Sequence, residues 1–223
     1  MNVNTAYSVW IYALQKNLQQ GYASPADFNL CINQASRGYQ SWLGGESEQY
    51  QQGRPYSRVS FGQNENVRQS LAPTIYGYNL HVDVNGFAPY PSDFEKVDAL
   101  WSIYGNNRIR YASQDRFYSI YNSKIDPYAT NPFYLIEDLG FRFFPQSILT
   151  THLSYVKNVP QIVWGYTPDV NGIPVYNPAT SIDPVWADLD MMEVIARALR
   201  LAGVNLQAAV VSQYATEIKQ GGQ

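Results

Sequence analysis

The stretch PQIVWGYTPDVNGIPVYNPATSIDPVWADLDMMEV, residues 160–194, changes its hydrophobic period half-way. Its first part reads as two short strands around Asn171-Gly172, a dipeptide that accepts positive φ and is the strongest hairpin signal in the chain. Pro174, Pro178 and Pro184 withdraw backbone donors, which keeps the ends of this hairpin from extending a central sheet. From Asp188 onward the apolar residues Met191, Ile195, Ala198 and Ala202 recur at helical spacing, and Gly203 stops the run. A hairpin that hands over to a helix implies an α+β chain. The same stretch poses a functional question. Trp164, Tyr166 and Tyr176 form either a platform for sugar rings or the anchors of a structural joint.

Outward from there, the two ends of the chain are helical. Tyr7, Trp10, Leu14 and Leu18 mark one apolar face, closed by Gly21. In Ser24-Pro25-Ala26-Asp27, serine is a helix cap, proline suits the first helical position, and Asp27 completes a variant capping box. Phe28, Ile32, Ala35, Tyr39 and Trp42 then share a stripe that ends at Gly44-Gly45. At the other end, Asn205 caps a last helix with Leu206, Val210, Tyr214 and Ile218 on its apolar side. Between the ends, Asn79 to Val175 is mostly strand. NLHVDV alternates, ALWSIYG and NRIRYAS flank a turn at Gly105-Asn106-Asn107, and NPFYLIEDLGFRFFP turns at Asp138-Leu139-Gly140. THLSYVKNVP is a further strand, and SQDRFYSIYNSKID a short inserted helix.

The expected architecture is a single α+β domain over 1–223. Residues 1–45 form an N-terminal helical hairpin, 46–72 an extended loop or arm, 73–180 an antiparallel β region, and 181–223 a C-terminal helical hairpin. The two helical hairpins pack together, because each has an apolar stripe that needs a partner. The polar 46–69 segment is longer than an ordinary connection, which marks it as an arm reaching a neighbour.

Composition narrows the function classes. Charged residues are only 15% of the chain while tyrosines number 19, a balance that suits surfaces covered by protein partners. A net charge of −3 lacks the basic footprint of a nucleic-acid binder. The first residues carry no basic region and long apolar run of a secretory signal, and no stretch approaches a membrane span. The expected setting is a reducing cytosol, with no membrane. Cys31 has no intrachain partner and reads as an inert thiol.

Candidate chemistry is sparse. His81 and His152 are far apart in strand-like runs, without metal-ligand spacing. Asp183, Asp188, Asp190 and Glu193 lie close together, and Asp188, Asp190 and Glu193 resemble a fragment of a calcium loop, but the glycine turn and the downstream bidentate glutamate are missing. The simpler reading makes Asp188 a helix cap, with Asp190 and Glu193 at the positive end of the helix. Arg108, Arg110, Arg116 and Lys124 lie among Tyr104, Tyr111, Phe117, Tyr118 and Tyr121. That interleaving can bind single strands, yet the period-2 spacing of Arg108 and Arg110 equally makes a solvated strand face. Common catalytic and nucleotide-binding motifs are absent, so no catalytic, cofactor-binding or metal residue is assigned, no cofactor is expected, and a non-enzymatic protein is.

Three blocks carry a family resemblance: GYASPADFNLCINQASRGYQSWLGG, SKIDPYATNPFYLIEDLGFRFFP and PVWADLDMMEVIARALRLAGVNLQAAVVSQYA. Their order, together with VYNPATSIDPVW, resembles virion structural proteins of tailed phages of Bacteroidetes, including the crAss-like group. The blocks cover about half of the chain, and none is a catalytic motif. The resemblance implies a neck or tail ring subunit, a head-to-tail connector or portal adaptor assembled in the host bacterial cytoplasm. Its partners would be further copies of itself in a closed ring, twelvefold to match the portal, with the portal and neighbouring neck and tail proteins. DNA would pass along the ejection channel without specific binding. A carbohydrate- or receptor-binding virion component is the alternative, and a virion-associated hydrolase a third.

Overall fold

The computed structural model describes residues 1–17, 24–44, 65–103, 107–121 and 131–203; for 15–17 and 120–121 it describes the backbone alone. The expected Gly21 cap, the tip of the Gly105 turn, most of the 46–69 arm, Lys124 and the helix after Asn205 lie outside the described residues. The fold is α+β, as the change of period implies. Backbone contacts divide it into two compact units. One combines Met1–Pro73 with Val159–Gln223, and the other is Thr74–Asn158. The boundary at Val159 groups the Asn171-Gly172 hairpin with the helices.

The first unit holds helices α1 (Val3–Asn17), α2 (Pro25–Leu43), α3 (Glu65–Leu71) and α5 (Asp188–Leu201). Helix α5 packs against both α1 and α2, so helices from the two ends of the chain do share a core. Helix α1 buries Val3, Ala6, Trp10 and Leu14, with Tyr7 at the margin. Helix α2 begins at the expected capping box. The Asp27 N–H donates to Ser24 Oγ at 3.2 Å and the Ser24 N–H to Asp27 Oδ2 at 2.9 Å. The Ser24 hydroxyl, which donates to Asp27 Oδ2 at 2.7 Å, and then the Ser24 N–H hold the Asp27 carboxyl below its ordinary pKa. Phe28, Ile32, Ala35 and Tyr39 are buried as expected, but Trp42 is 53% exposed and Leu43 takes the core position. Four residues beyond Tyr39 continue the stripe as well as three do, and the smaller leucine fits within it.

Two further expectations are corrected in this unit. Residues 65–71, assigned to an extended arm, form helix α3, anchored by buried Leu71. Asp188 does not cap α5. The cap is Ala187, without a side-chain bond, and Asp188 is the first helical residue, paired with the amino group of Met1. Asp188 and Asp190 still lie in the first turn, where the helix dipole favours negative charge.

The described residues of the second unit form seven strands. These are β1 (Ile75–His81), β2 (Phe87–Pro89), β3 (Phe94–Ser102), β4 (Arg110–Tyr111), β5 (Phe133–Ile136), β6 (Gly140–Phe144) and β7 (Thr150–Lys157), with helix α4 (Gln114–Tyr121) inserted after β4. One sheet runs β1-β7-β3 and the other β2-β6-β5-β4. The end of β3 turns back on residues 107–109. The Ser102 N–H donates to the Asn107 carbonyl and the Ile109 N–H to the Leu100 carbonyl, both at 2.9 Å. Both sheets therefore wrap one core of Leu80, Leu100, Ile109, Phe141, Phe143, Leu153 and Tyr155. The region is not purely antiparallel, because β4 pairs with β5 in parallel. Helix α4 supplies the crossover that a parallel pair requires.

Tyr155 and Tyr134 give this core a pH signature. Burial, followed by the hydrogen bond to Asp93 at 2.8 Å, pushes the Tyr155 phenol up to about 12. Burial pushes Tyr134 up to about 12 as well. An unfolded phenol titrates near about 10, so below that pH both states keep the proton and the stabilisation is complete. Between about pH 10 and about pH 12 the unfolded chain ionises first, and stability falls as pH rises. Urea midpoints should therefore drop between about pH 9 and about pH 11, and drop less in Tyr155→Phe. Equal drops would refute this assignment.

The hairpin of the first unit pairs β8 (Tyr166–Pro168) with β9 (Pro174–Tyr176) as a separate two-stranded sheet. Its last pair is Pro168 opposite Pro174, where neither residue donates, so the ladder ends and a five-residue loop follows. Asp169 Oδ1 accepts the N–H groups of Asn171 at 2.8 Å and Ile173 at 2.9 Å, while Gly172 takes φ of 78°. The same five-residue loop occurs at Asp83-Val84-Asn85-Gly86-Phe87. Asp83 Oδ1 accepts from Asn85 and Phe87, and Gly86 takes φ of 77°.

Candidate functional site

Trp164 and Trp186, which frame the loop-rich stretch, are 4% and 3% exposed. The Trp164 ring stacks on Tyr7 at 4.1 Å between centroids and lies near Tyr166 and Tyr176 at 5.9 and 5.7 Å. Its indole N–H donates to Asn4 Oδ1 at 3.1 Å. Tyr7 and Trp10 both meet Phe28 of α2 edge-on. The Trp186 indole N–H donates to Ser36 Oγ at 2.7 Å, and its ring meets Tyr39 edge-on at 5.2 Å. A sugar platform needs an open aromatic face. Here the face of Trp164 is taken by Tyr7.

The segment carrying Trp164 is held by two asparagines one helical turn apart on α2. Asn33 accepts the Ile162 N–H at 2.8 Å and donates to the Ile162 carbonyl at 2.7 Å. Asn29 accepts the Trp164 N–H at 2.8 Å and donates to its carbonyl at 3.3 Å. Residues four apart on a helix rise about 6 Å. Residues two apart on an extended chain rise about 6.6 Å. That match lets two amides act as a substitute β-strand. On the other side, Val163 exchanges both backbone bonds with Ile182. Asparagine is a poor helix former, so its recurrence beside the core residues Phe28 and Ile32 was the available sign of this role. Spacing along the sequence does not reveal what such a side chain faces.

The acidic residues are engaged one by one. Asp183 Oδ1 accepts the Val3 N–H at 2.8 Å at the start of α1. Asp190 Oδ1 accepts the hydroxyls of Tyr39 at 2.6 Å and Ser70 at 3.1 Å. Burial, with the Asp190 hydrogen bond second, holds the Tyr39 phenol well above its ordinary value. Glu193 pairs with Arg197 at 3.0 Å, and the Arg197 guanidinium lies over the rings of Tyr39 and Trp42 at 5.4 and 5.0 Å. Among the described residues no set of three histidines, cysteines or acids is placed to hold a metal ion.

The remaining candidates stay apart. His152 Nδ1 lies 2.7 Å from Asn79 Oδ1 and its ring sits beside Trp101, while His81 is exposed at the end of β1. Burial, with the Asp27 charge second, pushes the Cys31 thiol up, which makes it a poor nucleophile. Arg108 and Arg110 are exposed on either side of buried Ile109, as their spacing predicts, and Arg116 is exposed on α4. No described helix is long and apolar enough to cross a membrane.

The described residues of the first unit expose several large apolar side chains. Tyr166, Val170, Ile173, Val175 and Ile182 are all exposed on or beside the β8–β9 hairpin, and Val170 is fully so. Leu30 of α2 and Leu189 and Met192 of α5 are exposed as well. No protein-family model matches the chain, and no curated protein matches its sequence.

Proposed function

We propose that the chain is a structural subunit of a virion neck or tail ring in a tailed phage. It joins capsid to tail as a head-to-tail connector that continues the DNA ejection channel. The observation that carries this reading is the β8–β9 hairpin. All six of its strand residues are exposed or half-buried, and its loop and flanks display Val170, Ile173 and Ile182. An isolated two-stranded hairpin is marginally stable in water, and an apolar one is expected to be covered by a partner. A ring supplies such a partner, because head-to-tail contacts place one surface of each subunit on a different surface of the next. The aromatic joint beneath supports this reading by tying the base of the hairpin to α1 and α2. The block resemblance points to the portal and adjoining neck or tail proteins as the other neighbours.

The double variant Val170→Asp, Ile173→Asp tests this function. Both side chains are exposed in the subunit, so its melting temperature should stay unchanged while assembly of the mixture with portal is lost. Undiminished assembly in the variant would reject the hairpin as the contact.

A further inference from the structure

Strand β3 carries bulges after Phe94 and after Val97, and it meets the returning chain only from Leu100 to Ser102. Beyond that point β4 pairs with β5 instead, and the two strands part. The gap is a cleft of about 570 Å³, within the second unit, in the size range of small-ligand sites. Arg108 and Arg110 line it, together with Tyr111, Tyr134, Asn131 and Asp98. We propose that this cleft is a phosphate site that takes the backbone of a single nucleic-acid strand.

Three features converge there. Arg108 and Arg110 have no side-chain hydrogen bond or ion pair among the described residues, so two guanidinium forks remain available to phosphate oxygens. Tyr134 is 7% exposed, lines the cleft, and its hydroxyl has no hydrogen-bond partner among the described residues. Burial keeps that hydroxyl protonated to about pH 12, so it faces an anion as a donor. Tyr111 is exposed with its ring 5.7 Å from that of Tyr134, which leaves a face on which an unpaired base can stack. The acid in the lining, Asp98, accepts a hydrogen bond from Ser154 Oγ at 2.7 Å. Two arginines give a local grip on phosphate, while the net charge of −3 keeps overall affinity weak. That combination suits a strand that is touched and released.

Fluorescence polarisation with labelled oligothymidylate tests the proposal, with inorganic phosphate and duplex of equal length as separate arms. The single strand should bind at low salt. Arg108→Ala with Arg110→Ala should weaken it about tenfold and flatten the log–log salt slope by about 1.4, at about 0.7 per phosphate. Tyr134→Phe should weaken binding several-fold with the slope kept. Equal affinity of wild type and the double variant would overturn the proposal, as would no binding to the strand. Inorganic phosphate binding as tightly as the strand, or a preference for duplex, would overturn the strand assignment. Both arginines are exposed, and thermal melts separate lost binding from lost folding. Ring formation is read independently, so neither result bears on the ring proposal.

Discussion

Trp164→Ala is expected to cost about 3–5 kcal/mol of folding stability, the range for removing a buried large aromatic. The substitution removes the stack on Tyr7, opens a cavity against α1, and leaves Asn4 Oδ1 without its donor. At about 2–4 °C per kcal/mol the melting temperature should fall by roughly 6–20 °C. Trp164→Phe keeps part of the stack and loses the hydrogen bond, so it should cost about 1–2 kcal/mol. Thermal melts of the three proteins decide. A loss below about 1 kcal/mol in the alanine variant would show that Trp164 is a displayed surface ring and would revive the sugar-platform reading.

Asn33→Ala should cost about 2–4 kcal/mol, although only one small side chain on one helix changes. Its amide satisfies both backbone groups of Ile162, and its second N–H reaches the Asn29 carbonyl at 2.7 Å. Alanine leaves a part-buried donor and acceptor unpaired, each costing about 1–3 kcal/mol when desolvated. Asn29→Ala removes the equivalent pair at Trp164. The two substitutions release the same extended segment, so the double variant should lose less than the sum of the singles. Urea unfolding of the four proteins measures the coupling. Strict additivity would mean the asparagines hold independent points and the substitute-strand description is wrong.

The features legible in the sequence were those decided within a few residues. Ser24 and Asp27 cap α2 because each is in reach of the other's backbone N–H. Prolines and Gly172 set the hairpin apart because φ and donor count are local properties. Core residues of α2 and α5 followed from spacing, which misplaced Trp42 because positions three and four apart both fit one stripe. The turn at Asp83 carries the same Asp-Val-Asn-Gly run as Asp169, and its parallel reading was open to anyone comparing the two stretches.

The long-range features were not legible. The parallel pairing of β4 with β5, and the shared core of the two sheets, depend on partners distant along the chain. The joint at Trp164 depends on Asn29 and Asn33, some 130 positions away. The short polar helix α3 has a single buried anchor, Leu71, too little to announce a period. The acidic cluster illustrates the same limit. Asp183, Asp188, Asp190 and Glu193 are neighbours in sequence, yet each is taken by a different partner.

The proposed ring role is tested most directly by electron microscopy of the purified chain mixed with the portal protein of the phage that the proposal implies. The account predicts closed rings of one diameter, seated on or coaxial with the portal, and their loss in Val170→Asp, Ile173→Asp. A chain that stays monomeric in the mixture, with the portal left bare, would contradict it.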